Sequence, residues 1–465
     1  MRPVLTPKQM RVLDTEATTA GTPIEILIGR AGAAVARAAK RMMGGLYGRT
    51  VVVITGKGNN GADGRVTARL LADQGVRVHV IDAEHMPLRL PVSDLIIDAA
   101  FGTGFRGDWS PPATKGVPVL AVDIPSGIDG LTGLAAPDTW QATRTVTFVA
   151  LKPGLLLGAG RALCGEVELV DIGINLGMGN VDINEVERSD VSQWVPQRPF
   201  DSHKWKAALY AVAGSSGMMG AANLCSASAM RAGAGIVHVA SPGIVSDRST
   251  STEIVRRALP ALGWSNEVLD DLSRFKAVVI GPGLGRDEGT VNEARKVIAG
   301  SHIPMVIDGD GLFAVAWGGE GARDIVRARS AGTILTPHDG EFTTLLGYAP
   351  SHDRISSARR LASDTNCVCL LKGTTTVVAE PSGEVLMVAN GDQRLATAGT
   401  GDVLAGIIGA LLAQGVEPFH AAASGAWIHG YAASLFTANE GLIASDLVDL
   451  IPLALSHMRH VGVRD

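Results

Sequence analysis

The sequence predicts an α/β fold with parallel sheets, arranged as two consecutive domains. Three observations carry that prediction. Short apolar runs of three to five residues alternate with helical patterns along most of the chain, the rhythm of strands buried on both faces between crossover helices. Most of these runs end in glycine or a small polar residue. The alternation breaks once, between Ser189 and Lys204, in a polar stretch that carries Asp190, Pro196, Pro199 and Asp201. The domains are therefore placed at 1–190 and 195–465 of the 465 residues, each large enough for its own core.

In the first domain, Val51-Val52-Val53-Ile54 predicts a strand that runs into a glycine loop from Thr55 to Gly64. A helix follows with Val66, Leu70 and Leu71 on one side, and Val76 to Ile81 closes a βαβ unit. Gly56-x-Gly58-x-x-Gly61, with Asp82 ending the next strand, matches a dinucleotide fingerprint, a weak pattern by itself. The loop also holds Asn59, Asn60 and Asp63, which that fingerprint does not need. Leu95-Ile96-Ile97 ends in Asp98, and Val119 to Val122 ends in Asp123 followed by Ile124-Pro125-Ser126-Gly127. Open parallel sheets bind ligands beyond the carboxyl ends of their strands. Asn59, Asn60, Asp63, Asp98, Gly102, Asp108, Asp123 and Ser126 are thus expected to meet in one crevice. One strand-end acid is more often a turn or cap; three in succession fit that explanation less well. Oxygens from Asn60, Asp98 and Ser126 would suit a hard cation, and with so few carboxylates a monovalent one.

In the second domain, Leu209 to Ala213 leads to Gly214-Ser215-Ser216-Gly217, and Ile236 to Val239 follows a helix rich in small residues. The strands Ala277 to Ile280, Met305 to Ile307, Thr333 to Leu335 and Val368 to Leu371 end in Gly281-Pro282-Gly283-Leu284-Gly285, Asp308-Gly309-Asp310, Thr336-Pro337-His338 and Lys372-Gly373-Thr374-Thr375-Thr376. Thr397-Ala398-Gly399-Thr400-Gly401-Asp402 then opens a helix on Val403, Leu404, Ile407, Ile408 and Leu411. Free N–H groups at a helix start attract phosphate, and glycine lets it come close. A carboxylate there would repel phosphate, so Asp402 is better suited to take a proton from an attacking hydroxyl. The plain alternative is that Asp402 only caps the helix. For His338 and Lys372 the plain alternatives are a loop histidine and a solvated strand-end charge.

Composition narrows the class. Hydrophobic residues at 46% and charged residues at 19% describe a globular chain with ample core. A net charge of −5 without a basic block, and aromatics at 4%, argue against nucleic acid. The cysteines Cys164, Cys225, Cys367 and Cys369 lack zinc spacing and are expected to be reduced thiols. No apolar run reaches the roughly 20 residues of a membrane span, and Met1-Arg2-Pro3 opens no signal peptide. A cytoplasmic protein is expected, with a homo-oligomer packed through apolar helices such as Ile24 to Ala39.

Four segments resemble the NAD(P)H-hydrate epimerase family: Asn59-Asn60-Gly61-x-Asp63-Gly64, Asp98 with Gly102-Thr103-Gly104, Asp123-x-Pro125-Ser126-Gly127 and Leu151-Lys152-Pro153-Gly154. The resemblance covers nearly all of 1–190 and implies a Rossmann-like three-layer domain that interconverts the R and S forms of hydrated NADH and NADPH. It implies potassium at Asn60, Asp98 and Ser126. It implies hydrate binding by Asn59, Asn60, Gly61, Ala62 and Asp63, by Gly102, Thr103, Gly104, Phe105, Arg106, Gly107 and Asp108, and by Asp123. Ala62 stands where glycine is usual. Exchange at a carbinolamine carbon needs ring opening, or loss and return of water, hence proton shuttling rather than hydride transfer. Asp123 is expected to take part in it, with Lys152 as helper.

The order of motifs over about 195–465 resembles ribokinase-like three-layer α/β/α folds, most closely the ADP- or ATP-dependent NAD(P)H-hydrate dehydratases. That resemblance implies hydrate contacts at Ala221, Gly283, His338 and Asp402, and nucleotide contacts at Lys372, Gly373, Thr374, Thr375, Thr376 and Gly401. Magnesium would bridge the phosphates of ADP or ATP, and Asp402 would deprotonate the hydrate hydroxyl. Phosphoryl transfer followed by loss of phosphate would then restore NAD(P)H. Two departures are visible: Trp205-Lys206-Ala207-Ala208 follows His203-Lys204 where glycine is usual, and Ala398 makes the run before Asp402 less glycine-rich. The expected function is bifunctional repair of NADHX and NADPHX. Two other readings compete with it. In one, a ribokinase-like kinase of a small alcohol carries a non-catalytic N-terminal binding module. In the other, a nicotinamide dehydrogenase rests on the glycine fingerprint alone.

Overall fold

Six parallel strands form the sheet of the first unit, which spans Arg2–Asn184, in the order Arg77–Asp82, Thr50–Thr55, Leu95–Ala99, Val119–Val122, Arg144–Phe148 and Glu166–Val170. The structure is a computed structural model describing residues 1–177, 181–244, 252–316 and 320–459. Val51, Val53, Leu95 and Ile97 lie against helices on one face, and Val52, Ile54 and Ile96 against Trp109 and Trp140 on the other. Burial on both faces explains why these strands read as unbroken apolar runs. The chain leaves Thr50–Thr55 for one neighbour and returns to the other, so the topological switch point falls between Thr50–Thr55 and Leu95–Ala99. Helix Ile24–Met43 buries Leu27, Ala31, Val35 and Ala38 in its own unit. Its Gly32 crosses helix Asn59–Ala72 so closely that a Cβ there would meet Val66 at 2.6 Å.

The second unit begins at Glu185 and includes Met1. The polar stretch expected to join two domains lies inside it: helix Arg188–Trp194 places Val191 in the core beside Val186 and Val195. These valines sit at near-helical intervals, hidden in the sequence by their polar and proline neighbours. The sheet of this unit runs Val385–Val388, Thr376–Ala379, Val368–Leu371, Thr333–Leu335, Met305–Ile307, Ala277–Ile280, Ala208–Val212, Ile236–Pro242 and Val255–Leu259. Thr376–Ala379 runs antiparallel to both Val368–Leu371 and Val385–Val388, and the other pairings among these strands are parallel. Here the switch point lies between Ala208–Val212 and Ala277–Ile280.

Helix Thr400–Ala413 is buried along nearly its whole length because every turn carries Val, Leu, Ile, Ala or Gly. It crosses helix Met219–Arg231 at Gly406, where a Cβ would meet the Cys225 carbonyl at 2.1 Å. All four cysteines are buried free thiols, and among the described residues no helix is long and apolar enough to cross a membrane.

Candidate active sites

In the first unit an open cavity of about 610 Å³ sits above the switch point. Asn59, Asn60, Asp63, Gly102, Thr103, Gly104, Phe105, Arg106, Asp123 and Lys152 all line it. Gly107 and Asp108 are exposed outside that wall, and Gly61 and Ala62 do not face it. Gly61 serves the backbone instead, since a Cβ there would meet the Gly56 carbonyl at 1.9 Å. Asp82 caps the turn after its strand, accepting from the Glu84 N–H at 2.8 Å, and is absent from the cavity wall. The dehydrogenase reading loses its ribose-binding acid with that contact.

Asp123 holds a left-handed backbone, φ 68°, at the end of Val119–Val122, a conformation that costs a non-glycine residue about 1–3 kcal/mol. Its Oδ1 accepts from the ammonium of Lys152 and from Thr147 Oγ1 at 3.1 Å. Lys152 is 1% exposed and also donates to Thr147 Oγ1 at 2.8 Å and the Phe148 carbonyl at 3.1 Å. A buried ammonium is tolerated only with such partners. Asp63 is buried with no hydrogen bond or ion pair to its carboxyl among the described residues. Burial first, then the charges of Asp123 and Asp14, push it up to about 8. Asp14, from helix Pro7–Thr19, lines the same cavity and is raised by burial and by Asp123.

Asp98 and Ser126 lie beneath the cavity floor. The Ser126 N–H donates to Asp98 Oδ2 at 2.8 Å and its hydroxyl to Oδ1 at 2.5 Å. The Phe101 N–H donates to Ser126 Oγ at 2.8 Å. Burial pushes the Asp98 carboxyl up. Asn60 is anomalous: its side-chain nitrogen and oxygen are both buried and both lack a partner among the described residues. An orphaned amide packed against Gly102, on the loop whose Phe101 is bonded to Ser126, fits a bound cation that would take the Asn60 oxygen.

In the second unit, glycine loops meet at the switch point. The Gly214 N–H donates to the Pro282 carbonyl at 2.8 Å, and Gly281, at φ 118°, leaves no room for a Cβ, which would meet the Asp308 carbonyl at 1.9 Å. Gly283 abuts Ala221, so these two predicted contacts are neighbours. Asp402 is not the cap that the plain reading required. Gly399 is the cap, at φ 90°, and Asp402 stands inside the first turn. The departure at Ala398 therefore leaves the glycine that the cap needs in place. Lys372 donates to Asp308 Oδ1 at 2.6 Å, and a Cβ on Gly401 would lie 3.4 Å from its ammonium. Burial alone would lower Lys372, but Asp308, Glu341 and Asp402 outweigh it and hold it raised. Burial, then Asp308, pushes Asp402 up to about 6, against the pull of Lys372.

One predicted contact also has a structural task. His338 caps helix Asp339–Leu346, its Nδ1 accepting from Gly340 and Glu341 at 3.0 and 3.2 Å, and its side chain is 61% exposed. Thr375 is buried, whereas Gly373 lies against Arg354. Sequence reasoning passed over Asp14, Asp308 as partner of Lys372, Arg354 and His429. Arg354 donates to the Lys372 carbonyl at 2.6 Å and to Asp339 at 2.9 Å. His429 is buried beside Thr400, its Nε2 has no partner, and burial pushes it down to about 4. Asp308 could have been found, because it ends a strand like the acids that were chosen; the others carry no local pattern.

A doubly wound sheet with a carboxylate-lined cavity, joined in one chain to a sheet with glycine loops and an acid in the first turn of its central helix, defines an α/β enzyme of two active units, the second ribokinase-like. A family model described as NAD(P)H-hydrate dehydratase matches residues 209–453, and one described as YjeF-related protein N-terminus matches 24–90 and 81–154. The bifunctional NAD(P)H-hydrate repair enzyme Nnr of Moorella thermoacetica is 34% identical over 94% of this chain and 93% of its own length. That of Mycobacterium leprae is 35% identical over 96% and 97%. The chain belongs to the bifunctional NAD(P)H-hydrate repair enzyme family. The crystal structure of ADP/ATP-dependent NAD(P)H-hydrate dehydratase from Bacillus subtilis, co-crystallized with ATP/Mg2+, matches 58% of this chain and 97% of that chain, at 28% identity and a TM-score of 0.50. A ribokinase-like superfamily protein from Enterococcus faecalis shares the fold, with a TM-score of 0.53 at 20% identity.

Proposed function

We propose that the first unit exchanges the R and S forms of hydrated NADH and NADPH, and that the second dehydrates the S form at the expense of ADP or ATP. The observation that supports this best is Asp402 in the first turn of helix Thr400–Ala413, half-buried and within electrostatic reach of Lys372 and Asp308. In this reading the Asp402 carboxylate takes the proton of the hydrate hydroxyl as its oxygen attacks the terminal phosphorus. Lys372 and the N–H groups after Gly399 bear the charge on the transferring phosphoryl group. Ala221 and Gly283 form the hydrate wall, and Gly373 to Thr376 follow the nucleotide. Magnesium, when bound, neutralises the phosphate charge. Arg354 holds the Lys372 carbonyl and so fixes the start of that loop.

In the first unit, Asn60, Asp98 and Ser126 would hold potassium, which would fix the Phe101–Gly102 loop against the hydrate. Asp123, held by Lys152 and Thr147, accepts and returns the proton at the hydrated carbon. Lys152, saturated by three acceptors, orients Asp123 rather than reacting. The substrates are thus NADHX, NADPHX and ADP or ATP.

The test uses the purified full chain. S-hydrate of NADH with ADP or ATP and magnesium is expected to regain the reduced-nicotinamide absorbance. R-hydrate is expected to do so only through prior exchange. A stable phosphorylated alcohol with no return of absorbance would instead support the small-alcohol kinase. Binding of hydrate with no exchange would make the first unit a binding module.

A further inference from the structure

We propose that Asp63, with Asp14 beside it as a positioning residue, is the general acid of epimer exchange: it hands its proton to the departing hydroxyl of the hydrate. The inference rests on the epimerase reading of this cavity and assigns the half of the proton traffic that Asp123 does not serve.

The argument begins with a carboxyl that has no structural task. Asp63 is 7% exposed, it faces the cavity, and no donor reaches its oxygens among the described residues. It is the fifth residue of helix Asn59–Ala72, past the positions where an acid caps a helix start. Other buried acids do have partners: Asp98 has Ser126, Asp190 the Met1 terminus, Glu293 Lys296 and Asp308 Lys372. A buried carboxylate without a donor is costly, and a buried neutral carboxyl much less so. The charged groups facing Asp63 are Asp14 from helix Pro7–Thr19, Asp123 from the end of Val119–Val122, and Lys152 from the residue before Pro153–Leu156. Arg11 lines the same cavity on the Asp14 helix. The two acids oppose ionisation of Asp63, and Lys152 is already spent on Asp123. This surrounding keeps the proton on Asp63 up to about pH 8.

The two carboxyls of the cavity are thus dressed for opposite duties. Asp123 receives two donors, the environment of an acceptor, while Asp63 receives none, the environment of a proton donor. Environments that separate two acids in this way mark out acid and base. The step balances without an oxidant. The ring nitrogen lone pair moves in as the C–O bond breaks, and the Asp63 proton goes to the leaving oxygen, which departs as water. The resulting ring cation lies among Asp14, Asp63 and Asp123. Water then adds to the same carbon from the other face and loses a proton to Asp123, and proton return to Asp63 closes the cycle.

The experiment follows R/S exchange of NADH hydrate by chiral chromatography, on the full chain, from pH 5.5 to 9.5. Wild type is expected to lose exchange tenfold per pH unit above about 8. Asp63→Asn is expected to lose roughly 10²- to 10⁴-fold in kcat with KM within about threefold, and Asp63→Glu to recover part of that loss. Asp14→Asn is expected to move the alkaline limb to lower pH, because one opposing charge is gone. A packing role for Asp14 would not move it. Nucleotide-dependent dehydration of S-hydrate by the second unit reports whether each variant is soluble and folded there. Exchange by Asp63→Asn at the wild-type rate, or an alkaline limb that stays put in Asp14→Asn, overturns the proposal. Absence of exchange in wild type overturns the epimerase reading instead.

Discussion

Asp402→Asn should make the second unit more stable and nearly inactive at once. Asp402 is half-buried and pushed up to about 6, by burial first and then by Asp308. In the unfolded chain the same carboxyl ionises in its ordinary range near 4. Between these values the unfolded state gives up its proton while the folded state keeps it. The carboxyl therefore contributes fully below about pH 4, and its contribution is lost as pH rises through about 6. Above that, ionising it in place costs the fold up to about 3 kcal/mol, reduced to roughly 1–3 kcal/mol by partial exposure to water. Asparagine has the same shape and no charge to bury. Its loss of the Coulomb attraction to Lys372 is already contained in the net figure, because that attraction lowers the carboxyl. At about 2 °C or more per kcal/mol, the second unit's melting transition at pH 7.5 should rise by a few degrees in the variant. The gap should close towards pH 4. Over the same range wild-type dehydration should fall tenfold per pH unit below about 6, and Asp402→Asn should lie roughly 10²–10⁴-fold below wild type above about pH 6, with the deficit narrowing as pH falls. Differential scanning calorimetry and the absorbance assay read the two effects. A variant that melts lower at pH 7.5 than wild type, or that still regenerates NADH at the wild-type rate, would refute the assignment of Asp402 as a strained base.

Asp123→Asn should stop epimer exchange while S-hydrate dehydration continues. Because it leaves Lys152 buried without its carboxylate, it should also destabilise the first unit by about 3–5 kcal/mol, seen as an earlier first transition in urea. Lys372→Met should raise the nucleotide KM at least tenfold and spare hydrate binding, measured by varying each substrate in turn. It should also leave Asp308 short of its strongest partner. If Asn60 holds potassium as proposed, Asn60→Ala should abolish any dependence of exchange on potassium over sodium, with dehydration unchanged, because the orphaned amide would then be the group that supplies an oxygen.

The strands were the most legible part of the chain, and the reason is burial. Val51 to Ile54, Ala277 to Ile280 and Val368 to Leu371 are covered on both faces, so no polar alternation blurs them. Their ends were legible for the same reason: where the chain leaves an apolar sheet, a glycine or acid stands out. The sequence around the seam reads as less apolar than it is, because Val186, Val191 and Val195 belong to a core assembled from strands and helices far along the chain. His338 carries a task that its motif does not announce: its Nδ1 caps the helix behind it. Two residues of local geometry turn Asp82, a candidate ribose acid, into a turn acceptor.

The residues that escaped the sequence share one origin. Asp14, Arg354 and His429 reach their sites from helices rather than from strand ends. An acid, an arginine or a histidine on an amphipathic helix looks like any solvated face until the fold shows what it touches. Parallel sheets place their sites at switch points, so strand ends supply the groups that meet the ligand first. How those groups ionise is set by burial and by charges brought in from other strand ends, Asp123 and Asp308, and from a flanking helix, Asp14. Asp63 comes from the segment that a motif would find, but what holds its proton is burial first, then Asp123 at another strand end, and then Asp14, nearly fifty residues earlier on a helix that no motif marks. The contacts of such a site are therefore written in short segments of sequence. Its protonation states are written in the packing of segments that are far apart.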